Sequence, residues 1–135
     1  MSSYLKAYLA SAIIFITLDA CWLSVMGPRL YKPLLQGALA DTVRPVPALL
    51  FYLLYIGGIV VFAVAPSPTP PRLASVILRG IGFGLVAYAT YDLTNQATLR
   101  TWPPVITLAD IGWGMFATAA AATAGSLAAH WQARM

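Results

Sequence analysis

The chain contains no glutamate, a single histidine and a single cysteine, and only 9% of its 135 residues are charged. Each scarcity excludes something. One cysteine, Cys21, cannot close an intrachain disulfide or build a cysteine-clustered metal site. With no second histidine, His130 has no partner for an imidazole metal site, and no Ser-His pair for nucleophilic catalysis can be assembled. Water-soluble domains carry about 25% charged residues, so so low a charge content argues against a soluble fold. Glycine-rich phosphate loops are missing too, because Gly80, Gly82 and Gly84 fall inside an apolar stretch without the strand such a loop follows.

In place of charge there is oil. Hydrophobic residues make up 60% of the chain and the mean hydropathy is +0.78. A helix crossing a bilayer needs roughly 20 apolar residues, and four such stretches are present, over about 4–26, 48–65, 74–98 and 105–129. The reading is an all-α, multi-pass integral membrane four-helix bundle with short loops, a single domain over residues 1–135. Gly27-Pro28 is the expected stop of the first span, and the proline-rich run 66–71 forbids helix between the second and third. Pro103-Pro104 suits the first positions of the fourth helix. Between the first two spans, Leu30, Leu34, Leu35 and Ala38 recur at helical spacing, which fits a short surface helix or an irregular loop. His130, Trp131 and Arg134 form an expected anchor at the membrane interface. Leu18-Asp19-Ala20-Cys21 loosely resembles a lipoprotein cleavage site. The apolar stretch around it is longer than a signal-peptide core and has an acid inside, so it is read as a span.

The net charge of +4 comes from cations dispersed over loops and ends, without the patch or motif of a nucleic-acid binder. Membrane lipids are the expected contacts. Lys6, Arg72, Arg79 and Arg134 lie on one side and Arg29, Lys32, Arg44 and Arg100 on the other, so the positive-inside rule leaves orientation undecided.

The polar exceptions gather in the run Tyr88 to Trp113, which holds two of the four aspartates, Asn95, two tyrosines, two tryptophans and five threonines. Polar groups at membrane depth are costly and mark a functional site by default. Asp19 falls late in the first span, Asp92 late in the third and Asp110 early in the fourth. Because spans alternate in direction, all three occupy one half of the bilayer. At 1.5 Å per residue, each lies about 10 Å from the span end nearest it. They are expected to meet around a shared cavity as acid–base or cation-binding groups. Asp19 and Trp22, like Asp110 and Trp113, are three apart and share a helix face. The repeated Asp-x-x-Trp hints at an inverted repeat. Tyr88, Asp92 and Asn95 line one face of the third span with Tyr91 beside it. Tyr88, Tyr91, Asn95, Trp22 and Trp113 are therefore the expected substrate-contacting residues. Carboxylates with an Asn amide suit a hard cation, but the residues name neither a metal nor any other cofactor. Ordinary interhelical hydrogen bonding is the alternative use of all these groups.

Five stretches carry a family resemblance: Asp19-Ala20-Cys21-Trp22, Phe51 to Gly57, Tyr88 to Asn95, Trp102-Pro103, and Asp110 to Gly114. Through them nearly the whole chain resembles the predicted bacterial membrane proteins grouped as domain of unknown function 2177. That resemblance implies a four-span protein of the bacterial inner (cytoplasmic) membrane. Its context beside fatty-acid-modifying enzymes leans toward lipid chemistry. Three functions fit: binding or helping to modify a lipid-phase fatty-acyl substrate, small proton-coupled transport by a dimer, or a non-catalytic accessory role in a membrane complex. The last two would bring a second copy or a membrane-protein partner.

Overall fold

The computed structural model describes residues 1–131 and is helical from end to end, with no strand among the described residues. Helix α1 (Ser3–Met26) opens on Ser2, whose Oγ accepts the Leu5 N–H at 3.2 Å, an ordinary N-cap. Helix α2 (Pro45–Gly58) starts with Pro at a first-turn position. Its last turns, Ile59–Val64, widen into a π-helix. Ala65, the only non-glycine residue at positive φ (44°) among the described residues, turns the chain into the proline strap. Helices α3 (Leu73–Thr98) and α4 (Pro104–Ala129) follow. All four are long and apolar enough to cross a bilayer, and α3 and α4, at 26 residues each, reach about 39 Å.

The expected stop at Gly27-Pro28 is not where the first helix ends. It continues as a π-helical turn over Gly27–Tyr31 and a last α-turn over Lys32–Leu34. A proline inside an α-helix removes one N–H and crowds the carbonyl four residues back. The wider turn avoids that conflict, and the Lys32 N–H reaches the Gly27 carbonyl five residues away. The segment after the first span is thus a helix extension followed by a loop, not a separate surface helix. Leu35 is buried beneath it.

The most enclosed element is α4, with 44% of its apolar window buried against 17–28% for the others. It packs chiefly against α3 and α1. Its buried residues Ile106, Asp110, Gly114, Ala117, Thr118, Ala121, Ala122 and Gly125 recur every three to four positions. Small residues let the backbones close in. A Cβ built on Gly80 would lie 2.7 Å from the Ala119 Cα, and one on Gly84 would meet the Gly114 carbonyl. Ser11 Oγ on α1 donates to the Ala121 carbonyl at 2.9 Å, tying the other flank.

His130 does not serve as a membrane-surface anchor. It is 3% exposed, and its ring nitrogens lie 2.9 Å from the Ser126 carbonyl and 3.0 Å from the Ser67 carbonyl. It thereby fastens the proline strap to the end of α4. Trp131 is exposed, and Arg134 lies outside the described residues.

Candidate functional site

The three expected acids come together from three helices in one half of the bundle. Asp19 on α1, Asp92 on α3 and Asp110 on α4 are 8%, 0% and 7% exposed. The antiparallel register that sets Gly84 against Thr118 and Tyr88 against Gly114 places Asp92 opposite Asp110. Asp19 stands close enough to Asp110 for their charges to interact. Tyr88 sits among them, near Asp19, Asp110 and Tyr31.

The two Asp-x-x-Trp motifs meet as a crossed pair. Because α1 and α4 run antiparallel, Trp22 and Trp113 stack face to face, with ring centroids 4.5 Å apart and planes 11° from parallel. Each indole then serves the other helix's acid. Trp113 on α4 directs its N–H toward Asp19 of α1, short of a well-formed hydrogen bond. Trp22 on α1 donates from Nε1 to Tyr31 Oη at 2.8 Å, and Tyr31 Oη donates to Oδ1 of Asp110 on α4. A second tyrosine matches it: Tyr52 Oη donates to Asp19 Oδ2. Each of these two acids therefore accepts from one tyrosine, and the tyrosine on Asp110 accepts in turn from an indole.

Asp92 breaks this local symmetry. Neither of its carboxylate oxygens has a hydrogen-bond partner although both are fully enclosed. A buried unpartnered polar group costs about 1–3 kcal/mol, and more if charged. Unmatched expense of that kind is not what helix-to-helix glue requires.

The remaining expected residues lie apart from the acids. Tyr91 is 60% exposed and packs edge-on against Trp102, with centroids 5.9 Å apart. Trp102 Nε1 donates to Thr107 Oγ1 at 3.1 Å, and Thr107 donates to Gln96 Oε1 at 2.8 Å. This is a polar cap on the α3–α4 turn. Asn95 is half-buried, one turn beyond Asp92, and has no side-chain hydrogen bond to the acids. The polar run from Tyr88 to Trp113 therefore divides into an acid centre and a cap.

Sequence reasoning missed Tyr31 and Tyr52. Tyr52 reads as a headgroup-level aromatic, and Tyr31 lies past a proline taken as a stop. Their periodicity offered a signal: Tyr52 and Tyr55 are three apart and both face inward, with Tyr55 Oη 2.7 Å from Thr118 Oγ1.

Beside the acids, Trp22 and Trp113 stack on each other. Two hollows of about 480 Å³ each lie elsewhere. One runs along the outer face of α3, from Leu85 to Thr94. The other is an apolar groove between α2 and α3, walled by Phe51, Tyr55, Val61, Phe62 and Phe83 and floored by Gly57 and Gly58. Tyr55 links this groove to the centre: its ring stacks on Phe83 at 5.2 Å and meets Tyr88 edge-on at 6.1 Å. Among the described residues no three His, Cys, Asp or Glu side chains converge to hold a metal ion.

The family described as "Predicted membrane protein (DUF2177)" matches residues 4–127. The chain belongs to that family. No curated protein and no solved structure matches it. Membership in DUF2177 and four apolar helices together establish a multi-pass membrane protein.

Replacing Tyr31 with Phe tests the crossed arrangement. It removes the acceptor of the Trp22 N–H and the donor to Asp110 together. A loss of about 1–2 kcal/mol is expected, with a red-shifted tryptophan emission as the stacked pair loosens. Unchanged unfolding and emission would show that the relay contributes nothing.

Proposed function

We propose that this DUF2177 protein binds a lipid-phase substrate with a fatty-acyl chain in the bacterial cytoplasmic membrane and helps to modify it. The acyl chain lies in the α2–α3 groove, and the acid centre supplies proton-transferring groups. The observation that carries this reading is the double position of Tyr55, which walls a groove open to lipid and abuts Tyr88 beside the acids. The groove's apolar lining suits a hydrocarbon chain, and ligand sites of this kind combine an apolar wall with a few polar groups. Asp92 and Asp110 are the proposed acid–base groups, Asp19 a charge held by Tyr52, and Trp22 and Trp113 the rigid wall behind them.

The test is a comparison of membrane lipids in a strain lacking the gene, complemented with wild type, Asp92→Asn or Gly57→Leu. A Cβ on Gly57 meets nothing within 4 Å, so leucine there fills the groove without disturbing the core. Wild type should restore the acyl-chain profile and both variants should fail, by tenfold or more in the affected lipid. Normal lipids in the deletion strain, or full restoration by both variants, would overturn the reading.

One observation favours a second reading. A buried acid pair without a cation in hydrogen-bonding contact is also what a proton-coupled carrier uses, and four helices would then pair with a second copy to enclose a path. Proton release when substrate is added to purified protein would mark that activity.

A further inference from the structure

Hydrogen-bond accounting at the acid centre leaves one donor missing. Ionised carboxylates only accept. Asp19 receives Tyr52, with the Trp113 N–H close by. Asp110 receives Tyr31, which itself receives Trp22. Asp92 receives nothing at either oxygen, is 0% exposed, and by the register that sets Tyr88 against Gly114 stands opposite another acid, Asp110. Two ionised carboxylates side by side would repel each other and could form no bond. A single proton between them changes the account. As a carboxylic acid, Asp92 has an O–H aimed at a neighbour that can accept it, and Asp110 then accepts from both Tyr31 and Asp92.

We propose that Asp92 is a carboxylic acid donating to the Asp110 carboxylate, so that the pair holds one exchangeable proton inside the bundle. The chain Trp22 to Tyr31 to Asp110 from Asp92 is then donor-to-acceptor throughout, with every N–H and O–H in it used. Moving the proton from Asp92 to Asp110 leaves the pair's charge at one negative and simply shifts which oxygen donates. Passing it to a bound acceptor leaves two adjacent carboxylates, which repel. Release is therefore tied to an acceptor occupying the site, and the pair must regain a proton before the next event. Asp19 is the contrast. Its donors suit an anion, and no second acid shares its hydrogen bonds. The inference deepens the proposed use of this centre by naming what Asp92 and Asp110 hold between turnovers.

The chain is favourable for measuring this, because four aspartates and no glutamate leave few side-chain carboxyl bands to separate. Infrared spectra of the protein in lipid at neutral pH should show a carboxylic-acid C=O band that shifts in deuterated water. Asp92→Asn should remove it and Asp19→Asn should keep it. Absence of the band from wild type, or its persistence undiminished in Asp92→Asn, would overturn the proposal. Should Asp92→Asn fail to fold, wild-type protein with carbon-13 at the aspartate side-chain carboxyls answers the same question by solid-state NMR. One protonated signal supports the pair, and four ionised signals refute it. These readouts report the proton alone. A confirmed band with an unaltered lipid profile in Asp92→Asn would keep the pair and discard the lipid role. The reverse pattern would keep the role and discard the pair.

Discussion

Gly84→Leu is expected to abolish the folded bundle, whereas Gly82→Leu, two residues away, should leave it intact. The two glycines differ in what stands opposite. A Cβ at position 84 would run into the Gly114 carbonyl, with the Gly114 C at 2.8 Å and Thr118 Oγ1 at 2.9 Å. Two of those atoms are backbone, so no rotamer change makes room and α3 must move off α4 as a unit. α4 is the most enclosed helix, so that shift also loosens its contacts with α1. Overpacking a tight core costs about 1–3 kcal/mol and sometimes more, and leucine at a backbone contact belongs at or beyond the upper end. A Cβ at position 82 meets nothing within 4 Å, so its leucine side chain projects into lipid. Its effect should stay within about 0.5 kcal/mol. Titrating detergent-solubilised protein with SDS while following helical circular dichroism separates the two outcomes. Equal tolerance of both substitutions would mean that the helices do not approach as closely as described.

The architecture was legible because its cause is local. Hydropathy placed a span over 74–98, and α3 runs Leu73–Thr98; it placed another over 105–129, and α4 runs Pro104–Ala129. Alternating span direction was enough to put Asp19, Asp92 and Asp110 at one height, since rise per residue is nearly constant in a helix. What escaped depends on rotation about the helix axis, which averages over a whole span hide. Tyr91 and Asp92 are adjacent in sequence, yet one packs outward on Trp102 and the other is fully enclosed. Gly27-Pro28 misled for a different reason. A proline forbids one hydrogen-bond pattern, and the chain adopted the wider one, carrying Tyr31 to Asp110. The indoles expected to line a cavity stack on one another, Trp22 on Trp113.

The hydrogen-bond partners of the acids predict unequal costs for removing them. Asp19→Ala strands Tyr52 Oη. A donor left alone costs about 1–3 kcal/mol, so the variant should lose about 2 kcal/mol. Asp92→Ala strands no tyrosine or indole, because its oxygens bond none. It gives up the interaction with Asp110 and a small volume, but relieves the burial of an acid beside an acid, for a net change of at most about 1 kcal/mol. The same SDS titration resolves a difference of that size. Function should follow the opposite order, with the acyl-lipid profile abolished by Asp92→Ala at nearly native stability. The asymmetry separates two kinds of buried polar group that the sequence presents as equivalent. Asp19 is held by donors that depend on it, and its removal is felt by the fold. Asp92 holds no tyrosine or indole in place, so its removal is expected to be felt by function before the fold. Equal destabilisation by the two alanines would place Asp92 among the structural groups and leave the acid centre as interhelical bonding.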